Sequence, residues 1–243
     1  MSAHEMLLLI GHGSARYPDA GDAMRRVADS PRLKRRFAGV ETALLNGVPS
    51  MADVLSRIGP ATIRVVPFFM ENGYFTRVAI PSALLGRAAT ICRPVGVHDG
   101  MAGLIERQAL AACDAWGIPS RTAAVLIVGH GSSTAPGRAL ALHRHAAQVA
   151  TTGLFGRVEA ACLEEAPFVA GTLRGLCAHP VVVVGFFANQ GGHVRDDVPA
   201  LIAAEQAVRG SAGPIVRFCG CVTGDPAMAS IVLDQAVLGA AQT

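Results

Sequence analysis

Three blocks of this sequence recur at one unbroken interval, which restricts the architecture more than any other feature. LLLIGHGS (7–14) returns as LIVGHGS (126–132), and GVETALLNGVPS (39–50) as RVEAACLEEAPF (157–168). VVPFFMENGYFTRVAIP (65–81) returns as VVGFFANQGGHVRDDVP (183–199). His12 and His130, Asn46 and Glu164, and Phe75 and His193 each stand 118 positions apart. Equal spacing across separated blocks means one structural unit used twice. The 243 residues are therefore expected to form two similar domains, 1–117 and 118–243.

Each copy alternates short apolar runs with amphipathic stretches. The runs predict strands near 6–10, 39–45, 62–68 and 91–96, then near 123–129, 157–162, 180–187 and 214–218. Alternation of this kind requires a parallel sheet with right-handed crossovers. The expected fold class is α/β: two doubly wound parallel-sheet domains with a cleft between the carboxyl ends of their strands. AWGIPSRTA (115–123) has linker chemistry, and the last helix, 226–241, is a candidate to cross back onto the first domain.

Composition removes several classes of function. Hydrophobic residues make up 51% and charged residues 16%, as suits strands buried on both faces. A net charge of +3 with 5% aromatics argues against a nucleic-acid surface, and Arg32–Arg36 reads as a solvated helix face. The apolar runs fall short of the about 20 residues that a membrane-spanning helix needs. MSAHEMLLLIGHGS lacks a cationic leader and reads as a first buried strand, so the chain is expected to be cytoplasmic. Six cysteines in such a chain form no disulfide framework. Cys92, Cys113, Cys162 and Cys177 are expected to be core thiols, whereas Cys219 and Cys221, two apart on a strand, could share a face. No further cysteine pair with zinc-site spacing accompanies them, which favours a structural role.

The chemistry lies in what the copies kept and lost. Both place a histidine after the first strand, His12 and His130. After the second strand one copy has Asn46 and the other Glu164, and after the third one has Phe75 and the other His193. Parallel strands end on one edge, so His130, Glu164 and His193 are expected to converge. Two imidazoles and a carboxylate suit a divalent transition metal and equally suit proton removal near neutral pH. His143 and His145 are read as surface residues of a polar helix, and His4, His98 and His179 as loop residues. Ser14 and Ser132 trail each GHG, but a nucleophile elbow needs serine at the centre of its turn. No G-x-G-x-x-G opens a helix after either first strand, and no organic cofactor is expected.

GHGS, V-E-x-x-x-L-E (158–164) and F-F-x-x-x-G-G-H-V-x-x-D-x-P (186–199) together resemble the class II tetrapyrrole chelatases, most closely the CbiX-type sirohydrochlorin chelatases. The resemblance spans essentially the whole chain twice, with the second copy the better match. It implies paired α/β domains that insert Co2+ or Fe2+ into sirohydrochlorin without ATP, the divalent metal being a substrate. Its two histidines fall on His130 and His193 and its acid on Glu164, as metal ligands and proton acceptors. CLEEAP departs from the expected spacing before its proline and leaves Glu165 open as the working carboxylate. Gly191 and Gly192 would admit close backbone approach and offer amides to substrate acid groups. Arg195 would pair with such a group, and His12 would support substrate from the degenerate copy. The implied partner is the tetrapyrrole, with neither nucleic acid nor membrane, in a monomer or homodimer. Another ring or metal, such as protoporphyrin or Ni2+, and a non-catalytic metal or tetrapyrrole carrier stay open as alternatives.

Overall fold

The computed structural model describes residues 5–238. His4 and the end of the predicted last helix, 239–241, lie outside them. The chain separates into two compact units, one built from residues 5–98, 188–191 and 226–238, the other from 99–187 and 192–225.

The first unit holds a four-stranded parallel sheet in the order β2-β1-β3-β4. Its strands are β1 (Met6–Gly13), β2 (Gly39–Asn46), β3 (Ile63–Pro67) and β4 (Ala89–Ile91). The helices α1 (Asp22–Ala28), α2 (Pro31–Lys34), α3 (Met51–Ile58) and α4 (Ile80–Ala83) belong to it. Leu7, Leu8, Leu9 and Ile10 are all 0% exposed, because a central parallel strand is covered on both faces. The fourth strand ends earlier than predicted. Pro94 has no N–H to give the ladder, so the chain leaves the sheet and residues Val95–Val97 form a 3-10 turn.

The second unit repeats the sheet as β6-β5-β7-β8, from β5 (Ala124–Gly129), β6 (Arg157–Cys162), β7 (Val181–Gly185) and β8 (Val216–Cys221). Val181 to Val184 are fully buried, each contributing roughly 1.5–3 kcal/mol relative to exposure. Around this sheet lie α5 (Met101–Trp116), α6 (Leu140–Thr151), α7 (Val169–Gly175) and α8 (Val198–Arg209). In both units the strand order reverses between the first and third strands, which opens a crevice at their carboxyl ends.

The units do not follow the repeat boundary at 117/118. Helix α5, from the first copy, packs on α6 and β7, and its Gln108 Nε2 donates to the Cys219 carbonyl at 2.9 Å. Helix α9 (Met228–Leu238), from the second copy, packs on α2 and β3. Its Gln235 Nε2 donates to the Pro94 carbonyl at 2.7 Å. Met101 and Met228, which open these helices, are 127 apart rather than 118, because α8 has 12 residues where α4 has 4 and the loop after it, 210–215, is one residue longer than 84–88.

Three expectations are corrected. Cys177 is exposed, since it lies on the turn just past α7 beside the buried Leu176. His145 is 0% exposed: it falls on the inward face of α6 with Leu142 and Val149, against the Phe186 ring at 5.6 Å. Its Nδ1–H donates to Gln148 Oε1 at 2.9 Å, while His143 is exposed as expected. Cys219 and Cys221 do not share a face. Val183 pairs with Phe218 and Gly185 with Cys221, so β8 carries one extra residue, and Gly220 at φ +98° accommodates the bulge. Burial pushes both thiols up to about 12, which keeps them protonated and unlike metal-binding thiolates. No helix among the described residues is long and apolar enough to cross a membrane.

Candidate active site

His130 follows β5 directly, Glu164 stands two residues beyond β6, and His193 ends the loop after β7. Backbone hydrogen bonds continue the sheet past the strand ends and pull the first two together. Leu163 N–H donates to the Gly129 carbonyl at 3.1 Å, and Glu164 N–H to the His130 carbonyl at 2.9 Å. Gly131 makes the turn that aims His130, with φ +72°. A Cβ there would stand 2.7 Å from both Cys162 Cβ and Glu165 Cγ, so only glycine fits.

The three side chains each offer a ligand atom, and these atoms all lie within 4.8 Å of one another. The His130 and His193 rings meet edge to face, centroids 4.4 Å apart and planes at 90°. Ligands at about 2.1 Å in a tetrahedron stand roughly 3.4 Å apart, so modest side-chain rotations would close this set on one ion. The side chains of His130, Glu164 and His193 are 46%, 39% and 40% exposed. A closed structural metal site would bury them; this one is open to solvent.

Hydrogen bonds settle which ring nitrogens face the site. His130 Nδ1–H donates to the Gly131 carbonyl at 2.9 Å, an oxygen that can only accept. Nε2 is therefore the ring nitrogen that faces Glu164 Oε1, 3.7 Å away, and it carries a lone pair whenever the ring is neutral. Two electron-pair donors facing each other repel until a proton or a metal cation stands between them. His193 Nδ1–H donates to Asp197 Oδ2 at 2.7 Å. Asp197 is the contact that sequence reasoning missed; its signal was a carboxylate four residues after the histidine on a helical turn.

The structure separates the two glutamates. Glu164 joins the histidines, whereas Glu165 is 5% exposed and accepts from the Gly137 N–H, pinning the loop after His130. The serines of the GHGS turns shape those turns: Ser14 Oγ accepts from Tyr17 N–H at 3.2 Å and Ser132 Oγ from Ala135 N–H at 3.1 Å. His193 opens a π-helical turn, His193–Asp197, a form that concentrates at functional sites. Gly192 precedes it at φ −54°, and the exposed Arg195 lies on it. A Cβ on Gly191 would meet nothing within 4 Å, so no protein packing demands glycine there.

The first copy keeps the frame without the ligand set. His12 Nδ1–H donates to the Gly13 carbonyl at 3.0 Å, as His130 does to Gly131. Phe75 then takes the place of His193, edge to face with His12 at 4.7 Å and stacked on Phe69 at 5.9 Å. Asn46 replaces Glu164.

Comparison with known proteins points one way. The CbiX family model matches residues 6–112 and 124–237, one match for each copy. A protein of Halobacterium salinarum named probable sirohydrochlorin cobaltochelatase is 27% identical, covering 96% of this chain and 90% of its own. A Deinococcus radiodurans multi-domain protein with structural similarity to chelatases superposes with a TM-score of 0.83 at 26% identity, over 99% of this chain. The chain spans only 56% of that protein's length. CbiX, the terminal enzyme for siroheme biosynthesis in denitrifying bacteria, shares the fold, with a TM-score of 0.73 at 24% identity. That match covers 97% of this chain and 98% of the other.

Proposed function

The chain belongs to the CbiX family, and on that premise we propose that it inserts a divalent metal ion, Co2+ first, into sirohydrochlorin without ATP. The observation that carries the reading is the convergence of His130, Glu164 and His193 at one sheet edge, in the copy whose twin has lost two of the three.

Insertion replaces two pyrrolic protons of the ring with one M2+, so charge balances and no electron moves. The chain must hold the ion weakly enough to surrender it and must receive the two protons. Two imidazoles and one carboxylate leave coordination positions open, unlike a closed four-ligand site. As the ring nitrogens take the ion, the same side chains lose their cation and become proton acceptors. Glu164 facing Nε2 of His130 favours a cation between them throughout, the metal before the exchange and one of the two protons after it, while His193 takes the other. Gly192 and Arg195 stand next to this centre, where amide and guanidinium groups suit the acid groups of the substrate.

A His–His–carboxylate set accepts cobalt and iron alike. The naming of the Halobacterium relative supports placing cobalt first. The test is a panel of Co2+, Fe2+ and Ni2+ against sirohydrochlorin and protoporphyrin, followed by absorbance. The expected result is metallation of sirohydrochlorin with Co2+ fastest and no turnover of protoporphyrin. A spectral shift on mixing the ring with the protein, without metallation by any ion, would make the chain a carrier instead.

A further inference from the structure

We propose that Asp197 is a positioning residue for His193: it fixes the ring as the Nδ1–H tautomer and aims Nε2 at the ion. The inference rests on reading His130, Glu164 and His193 as a metal site, and adds a fourth residue that bonds one of the three.

The two imidazoles face the same requirement with different means. A histidine can offer a lone pair from one nitrogen only if the other holds the proton, and a partner that can only accept enforces that choice. His130 finds its partner in the main chain, because the turn at Gly131 folds a carbonyl back to within 2.9 Å of Nδ1. His193 begins a helical turn, and its own carbonyl is taken by the Val198 N–H. A side chain one turn further along must serve instead, and Asp197 Oδ2 lies 2.7 Å from Nδ1. An ionised carboxylate accepts and does not donate, so this contact sets the tautomer.

The duplication supplies an independent observation. Residue 118 positions before Asp197 is Ala79, and residue 118 positions before His193 is Phe75. The imidazole and its carboxylate are absent together. His12, whose tether is a backbone carbonyl at 3.0 Å, persists. Were Asp197 only one half of a surface helix pair, the pair would add little, and nothing would tie its presence to that of a ligand.

The test uses the full chain without tetrapyrrole. Long-range 1H–15N correlation of the imidazoles reads the tautomer of His193, and calorimetry reads Co2+ affinity. Asp197→Ala is expected to turn His193 from Nδ1–H into a mixture of tautomers, leave His130 as it was, and weaken Co2+ binding about 10–100-fold. Asp197→Ser carries the same expectation should alanine disturb the turn. Asp197→Asn, whose Oδ1 still accepts, should restore the Nδ1–H form, and Asp196→Ala should change neither reading. An unchanged His193 tautomer and unchanged affinity in the truncated variants would overturn the proposal. So would equal losses in Asp196→Ala. Because no ring is present, failure of the wild-type chain to metallate sirohydrochlorin would refute the proposed function while leaving this result standing.

Discussion

His193→Ala is expected to cut the rate of metal insertion about 10²–10⁴-fold, His130→Ala to cut it comparably, and His12→Ala to leave kcat near the wild-type value. The first two changes remove a ligand atom and a proton acceptor at one stroke. With either gone, the remaining imidazole and Glu164 offer two groups to an ion that exchanges with water. His12 has the same turn and the same Nδ1 tether, yet it faces Phe75 at 4.7 Å, a ring that cannot bind a divalent cation through a lone pair. Insertion kinetics on the three variants checks this. Loss of activity in His12→Ala with retention in His193→Ala would place the chemistry in the other copy.

The neighbouring glutamates should separate into opposite phenotypes. Glu164→Gln keeps the shape of the side chain and removes its charge, in a position 39% exposed. Stability should hold, while insertion falls on the order of 10²–10³-fold, the scale of losing one preorganised electrostatic group. Glu165→Ala instead strips a buried acceptor from the Gly137 N–H, at a cost of about 1–3 kcal/mol. At roughly 2–4 °C per kcal/mol for a chain of this size, thermal unfolding should move down by several degrees. Surviving folded protein should keep much of its activity. Paired melting curves and insertion rates distinguish this outcome from its reverse.

Much of the fold was legible because both of its signals are long in sequence. The apolar runs mark central parallel strands wherever burial on two faces forbids polar residues, and the constant interval of 118 marks the repeat. The convergence of three strand-end side chains was likewise legible, since a parallel sheet puts those ends on one edge. What escaped depends on one residue of register or one turn of helix. Glu164 and Glu165 are adjacent, and only the N–H bonds to the Gly129 and His130 carbonyls decide which one faces the histidines. The bulge at Gly220 swaps the face of one cysteine, an event no alternation rule announces. His145 looked polar by composition, yet the helical spacing of Leu142, His145 and Val149 turns it inward. Asp197 was in view as part of a motif, but its contact to His193 needs the π-helical turn to be known. The exchange of α5 and α9 between the compact units is a matter of tertiary packing, and each helix would read the same in either place.

X-ray absorption at the cobalt edge of the Co2+-loaded protein tests the central claim most directly. The account predicts one ion per chain with two imidazoles and a carboxylate oxygen at about 2.0–2.2 Å, no sulfur in its shell, and loss of that signature in both His130→Ala and His193→Ala. A sulfur ligand, or a coordination shell unchanged by either substitution, would contradict it.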